Sequence, residues 1–135
     1  MAAFPTHWAL FWYNETVEEI ILKEGVEILQ GAVIIERGYD DGYIEVDIRH
    51  DGKEKELLFN GKNEWIRTSW EIRYNELPSV VTSALGAEGY QRDDDEVEVV
   101  QTPDASWYEV EVRRQGKEYK VFIDESGKII KVVED

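Results

Sequence analysis

The chain has 135 residues, 42% of them apolar and 12% aromatic, which is enough for one ordinary domain or two small fused ones with a real core. Thirty acids against fifteen bases give a formal charge of −15, a field that repels nucleic acid and anionic membrane surfaces and attracts a basic protein patch, a cationic peptide or a divalent metal. Cysteine is absent, which excludes thiol catalysis, disulfides and thiolate metal sites.

No apolar run approaches the ~20 residues that span a bilayer, so membrane insertion is not expected. The start, Met1-Ala2-Ala3-Phe4-Pro5, has neither a basic n-region nor an h-region. It fits a cytosolic chain or one whose leader has been replaced. In residues 1–13, Trp8, Leu10 and Trp12 alternate with Ala9, Phe11 and Tyr13. Both faces of that pattern are apolar, so it reads either as a strand or as a buried helical turn, an apolar hook that packs on the body.

Thr16-Val17-Glu18-Glu19 has the spacing of a capping box. Val17, Ile20 and Ile21 follow on one helical face, and Gly25 can end the helix in left-handed geometry. A second helix start, in the same register, lies 64 residues on: Val81, Ala84 and Leu85 match Val17, Ile20 and Ile21, and Gly89 matches Gly25. Pro78 suits its first turn.

The same offset relates two longer stretches. Glu45, Val46, Arg49, Gly52, Lys53 and Glu54 have identical mates in Glu109, Val110, Arg113, Gly116, Lys117 and Glu118. A self-match at fixed period is the mark of a repeated unit. Each copy continues into four expected strands, over 32–38, 43–50, 53–60 and 64–72, then 96–102, 106–114, 117–124 and 128–134. Asp40-Asp41-Gly42, Asp51-Gly52, Gln115-Gly116 and Glu125-Ser126-Gly127 supply the turns. The expected fold is α+β: two tandem units, each a helix plus a four-stranded antiparallel meander, forming one curved sheet of about eight strands with the helices on one face. The expected layout is an N-terminal segment over 1–13, a first repeat over 14–77 and a second over 78–135, in one compact domain.

Period-two alternation assigns the faces. Ile44, Val46, Ile48, Leu57, Phe59, Tyr108, Val110, Val112, Val121 and Ile123 should face the helices, with Val33, Ile35, Val97 and Val99. Tyr43, Glu45, Asp47 and Arg49, with Trp107, Glu109, Glu111 and Arg113, should face away, joined by Ile34, Leu58, Trp65, Val100 and Phe122. Large aromatics mixed with acids on an open sheet face mark a candidate interaction site.

No catalytic pattern is present. His7 and His50 are the only histidines, and neither lies in a metalloprotease or Ser/His/Asp arrangement. His50, beside a hairpin turn, is expected to be exposed. No enzyme activity is expected. The densest acidic run, Asp93-Asp94-Asp95 before Glu96, offers hard oxygen ligands of the kind calcium takes, although it lacks the spacing of an EF-hand. Calcium is therefore the one candidate cofactor, and a solvated turn is the plain alternative.

The helix followed by a strand meander, with Leu77-Pro78-Ser79-Val80-Val81 at the second helix, Trp107-Tyr108-Glu109-Val110-Glu111-Val112 on the central strand and Phe122-Ile123-Asp124-Glu125-Ser126-Gly127-Lys128-Ile129 at the close, resembles the PepSY-like family, also called beta-lactamase-inhibitor-like. Between the copies, Glu64-Trp65-Ile66-Arg67-Thr68-Ser69-Trp70-Glu71-Ile72 resembles the linker strand of that family. The resemblance implies a secreted or periplasmic bacterial protein without catalytic residues, binding or inhibiting proteins through its sheet face, with calcium regulation in some relatives. This chain departs from the pattern in lacking the usual leader and in having Asn14-Glu15 where the second copy has Pro78-Ser79.

Two functional expectations follow. The first is a secreted or periplasmic protein- or peptide-binding module, with inhibition as one form of that binding, that meets a basic or mixed surface through Tyr43, Glu45, Asp47, Trp65, Trp107, Glu109, Glu111 and Phe122. Such a module would be a monomer or a weak dimer. The second is a calcium-responsive structural protein of the bacterial envelope, using Asp93, Asp94 and Asp95.

Overall fold

The fold is taken from a computed structural model that describes residues 33–135. Those residues form eight strands: β1 (Val33–Asp40), β2 (Tyr43–His50), β3 (Lys53–Phe59), β4 (Trp65–Arg73), β5 (Gln91–Gln101), β6 (Ser106–Arg114), β7 (Lys117–Ile123) and β8 (Ile129–Glu134). A 3-10 turn (Tyr74–Glu76) and one helix, α1 (Ser79–Ala87), stand between β4 and β5. Spatial order follows chain order from β1 to β8.

This overturns the expected pair of helix-plus-four-strand units. Among the described residues the architecture is an eight-stranded antiparallel sheet with a single α-helix. The helix expected over residues 16–25, like the apolar segment 1–13, lies outside the described residues. The reason for a meander is local. Asp41-Gly42, Asp51-Gly52 and Gln115-Gly116 each have positive φ at both positions, the two-residue turn whose twist matches that of the flanking strands. Each such strand therefore returns beside its predecessor. By contact the chain divides into two compact units, Met1–Thr68 and Ser69–Asp135, and the division falls inside β4.

Positions 64 apart make the same turn bonds. Asn60 Oδ1 accepts the backbone N–H of Lys62 (2.8 Å) and Glu64 (3.0 Å). Asp124 Oδ1 accepts the N–H of Ser126 (2.9 Å) and Lys128 (3.0 Å), and also the Ser126 hydroxyl (2.6 Å). The Ser126 hydroxyl bond is the main cause that holds the Asp124 carboxyl below its ordinary range. These side chains stand in for backbone partners and fix the β3–β4 and β7–β8 connections.

In the second unit, α1 buries Val81 and Leu85 against Val97, Val110, Val112, Val121 and Ile123. The helix ends as its sequence requires. Gly89 takes φ +81°, and the Tyr90 N–H bonds back to the Leu85 carbonyl at 3.0 Å, as in a left-handed helix stop. In the first unit the buried cluster is Val46, Ile48, Leu57 and Phe59. Val46 and Val110 are both fully buried, as alternation places them.

Three placements differ from the expected ones. Val33 and Ile35 are 62% and 47% exposed. A bulge between Ile34 and Glu36 shifts the β1 register, and Ile34, opposite Ile48, packs on the core instead. Trp65 also packs against the first cluster, with its indole N–H donating to Thr68 Oγ1 at 2.9 Å. It does not share the face of Tyr43, Glu45 and Asp47, because β4 starts at Trp65 and its phase is set by the Asn60 turn. His50 is buried rather than exposed: its Nδ1 lies 3.1 Å from the Lys55 ammonium, and burial lowers the Lys55 pKa.

Chemical denaturation should rank substitutions by these faces. Val46→Asp or Val110→Asp should each cost about 3 kcal/mol or more, since each leaves an unpaired charge in a closed core. Glu54→Gln, on an exposed side chain, should stay within about 0.5 kcal/mol. Gly127 has φ +89°, and a Cβ there would meet the Val80 carbonyl oxygen at 3.0 Å. Gly127→Ala should therefore lose about 1–3 kcal/mol. Equal stabilities across these variants would invert the faces.

Candidate functional site

The face of β6 opposite its buried valines carries Trp107, Glu109, Glu111 and Arg113. Their β7 partners across the ladder are Phe122 for Glu109, Lys120 for Glu111 and Glu118 for Arg113. On β5, Glu98 stands opposite Glu109, a like-charge pair of the kind that destabilises a ladder. Trp107 leans along its own strand, its indole N–H donating to Glu109 Oε2 at 3.0 Å. The Lys131 ammonium lies 4.6 Å from the Phe122 ring centroid, within cation–π range.

Of these side chains, Glu98, Glu109, Glu111 and Lys120 border an open concavity of about 220 Å³, which is lined also by Glu71, Asp94 and Glu96. One ammonium thus serves six carboxyl groups. Lys120 Nζ sits 3.6 Å from Glu111 and 4.0 Å from Glu109. The Glu111 pKa is pushed up to about 7. Burial is the largest cause, followed by the hydrogen-bonded Asp135 carboxyl and its charge, while Lys120 works in the opposite direction.

The first unit has a related group with the opposite balance. Carboxylate oxygens of Glu45, Asp47 and Glu56 all lie within 4.8 Å of one another. Burial first, and then the neighbouring acids, raises the pKa of Asp47. Burial also raises that of Glu56, helped by its hydrogen bond to Glu45 and opposed by Arg67, whose guanidinium is 3.8 Å away. Glu56 occupies the position 64 residues before Lys120. Where the second unit places a cation on its acids, the first adds a third acid. Tyr43 lies at the start of β2, opposite Asp40, and is 43% exposed.

Of the expected site residues, Glu109, Glu111, Trp107 and Phe122 come together on one face of the second unit, and Glu45 and Asp47 on one face of the first. Trp65 does not join them. The acidic run also lies elsewhere than expected: Asp93, Asp94 and Asp95 fall inside β5 and not in a turn. Their carboxylates do not converge as the Glu45, Asp47 and Glu56 group does. Asp93 pairs with Arg113 at 3.1 Å, Asp95 with Arg73 and Arg92, and Asp94 borders the concavity. A register shift between Arg92 and Val97 gives these residues room, and the guanidinium partners let a run of acids sit in a strand. Glu71, Glu96, Glu98, Lys120 and Asp135 escaped sequence reasoning. The visible signal was the exchange of Glu56 for Lys120 at matching positions. The rest depends on which strands lie side by side.

The fold is one of known type. Similar solved structures include a BLIP-like protein of Bacteroides fragilis, 24% identical over 86% of this chain and 84% of that one, with a TM-score of 0.69. A DUF2874 family protein of Bacteroides ovatus is 19% identical over 90% and 89% of the two chains, with a TM-score of 0.67. A protein of Bacteroides eggerthii, given a suggested periplasmic location, is 17% identical over 90% of each chain, also with a TM-score of 0.67. The chain therefore has a BLIP-like fold, in agreement with that part of the resemblance drawn from the sequence. No family model and no curated protein matches the sequence. Among the described residues no helix is long and apolar enough to cross a membrane.

Lys120→Met removes the internal cation from the concavity. It should destabilise the protein by about 1 kcal/mol at mildly alkaline pH, within the range of partly exposed ion pairs. The loss should shrink in acid, where the carboxyls take up protons. An equal loss at both pH values would mean that the lysine acts through packing alone.

Proposed function

We propose that this protein is a non-catalytic module of the bacterial periplasm or exterior that binds a protein or peptide with a basic or mixed surface. Binding would use the acidic sheet faces of the two units. The observation that carries the reading is the imbalance of charge around the concavity of the second unit, six carboxyl groups to one ammonium. The Glu45, Asp47 and Glu56 group adds to it, with no lysine at the matching position. Acids held this close repel one another, and a cationic partner relieves that repulsion and is steered in by the field. Trp107 and Phe122 supply flat contact area beside the acids, the residue type that dominates interface energies. The BLIP-like fold supports a binding role, and the suggested location of the Bacteroides eggerthii protein supports a periplasmic one. Descent from a PepSY-like tandem repeat and an inhibitory action belong to the same proposal.

The test is a panel of peptides of equal length and increasing positive charge. Affinity should rise with peptide charge and fall with salt, as exposed electrostatics require. Trp107→Ala should weaken binding through faster dissociation and Glu109→Lys mainly through slower association, with each variant first shown to be folded. Neutral and cationic peptides bound equally, or both variants binding as the parent does, would remove this face from the function.

A further inference from the structure

β8 is the outer strand of the second unit: among the described residues it has β7 on one side and no strand on the other. Its apolar side chains are open to solvent, with Ile130, Val132 and Val133 53%, 40% and 41% exposed. Such an edge carries backbone N–H and C=O groups that can template a further strand. The ladder identifies them. The Asp135 N–H donates to the Glu118 carbonyl at 3.0 Å, and Glu134 and Val132 stand opposite Tyr119 and Val121. Backbone groups of an antiparallel pair alternate in direction. Those of Asp135, Val133 and Lys131 therefore point to β7, and those of Glu134 and Val132 point outward. The side chains of Lys131, Val133 and Asp135 share one face of the strand. A lysine on an edge strand ordinarily blocks pairing. Here Lys131 lies two residues before Val133, and Asp135 two residues after it. Among the described residues the Lys131 ammonium has no carboxylate partner and rests 4.6 Å from the Phe122 ring centroid.

We propose that β8 pairs antiparallel with β8 of a second copy of this chain, about a twofold axis at Val133. Only registers that set outward-pointing residues opposite one another can form the hydrogen bonds. Centred on Lys131, such a register sets lysine against lysine; centred on Glu134, it sets glutamate against glutamate. Centred on Val132, it leaves Lys131 opposite Val133. Centred on Val133, it sets Lys131 of each copy opposite Asp135 of the other, and Val133 opposite Val133. Val132 and Glu134 then exchange their outward N–H and C=O groups across the axis. Opposite charges facing across a ladder stabilise it and like charges destabilise it. The lysine that bars other strands thus selects this one, and the occupant is a second copy because the segment is complementary to itself. The formal charge of −15 on each chain opposes association at long range. At physiological salt, exposed charges more than about 8 Å apart are largely screened, which leaves the contacts at the axis to decide. The pairing uses the strand edge and does not depend on what the acidic face binds.

Sedimentation equilibrium of the full chain at about 0.15 M ionic strength tests this, with each variant first shown to be folded by circular dichroism. The mass of the parent should rise from monomer toward dimer with concentration. Lys131→Asp and Asp135→Lys should each weaken the dimer about tenfold or more, since each turns two opposite-charge pairs into like-charge ones. An equimolar mixture of those two variants should recover the parental affinity, because every position 131 then meets its opposite charge at position 135. Glu134→Pro should abolish the dimer and leave the fold, since it removes an N–H that points away from β7. A mass that stays monomeric up to about 1 mM would overturn the pairing. So would a dimer that persists in both charge variants, or a mixture that associates no better than either variant alone.

Discussion

Each acid of the open face is chained to a buried neighbour. Along β6 the order is Glu109, Val110, Glu111, Val112, and the two valines have no exposed surface. A strand cannot turn one of these residues without turning the next. Burying the valines therefore fixes the carboxyls in a row on the other side, whatever their repulsion. The same coupling on β2 holds Glu45 and Asp47 beside Val46 and Ile48. Hydrophobic burial, at roughly 25 cal/mol per Å² of apolar surface, exceeds the screened repulsion between exposed like charges, so the core decides where the charges go.

Once the acids are placed, the molecule uses several means of tolerating them. Arg113 lies between Asp93 and Glu118, and Arg73 and Arg92 both reach Asp95. Lys120 spans Glu109 and Glu111. Glu56 has Arg67 at 3.8 Å and Glu111 has Lys120 at 3.6 Å, yet burial still raises the pKa of both carboxyls. Those crowded carboxyls are where added positive charge would be most favourable. The two units differ most here: position 56 is an acid and position 120 a base, so matching backbones present different electrostatic faces. The two units thus pair similar cores with divergent rims, since packing sets the fold and surface charge can vary without changing it.

The core side shows a parallel divergence. His50 and Lys55 make a buried polar contact in the first unit. At the matching positions of the second unit stand Arg114 and Tyr119, and the Arg114 guanidinium lies 4.3 Å from the Tyr90 ring centroid and 5.5 Å from that of Tyr119. Both arrangements set a basic side chain against a ring, the His50 imidazole in the first unit and two phenol rings in the second. The second does so with aromatic faces, which accept a guanidinium without full desolvation.

Local chemistry was legible from the residues alone. The Asp-Gly and Gln-Gly turns dictate antiparallel return, the alternation of β2, β3, β6 and β7 fixes which residues are buried, and Gly89 marks the end of α1. These are nearest-neighbour effects, decided within a few residues. The phase of β1 was not legible, because a bulge at Ile34 changes the face of everything beyond it and depends on pairing with β2. Trp65 was misplaced for the same kind of reason, since the turn held by Asn60 resets the alternation before β4. The acidic run was misread as a turn because its guanidinium partners, Arg73 and Arg113, come from other strands. The sequence by itself determined the strands, the turns and the acidity of the open face. Only the tertiary structure decided which carboxyls meet, because that depends on strand register, and register is a contact between residues far apart in the chain.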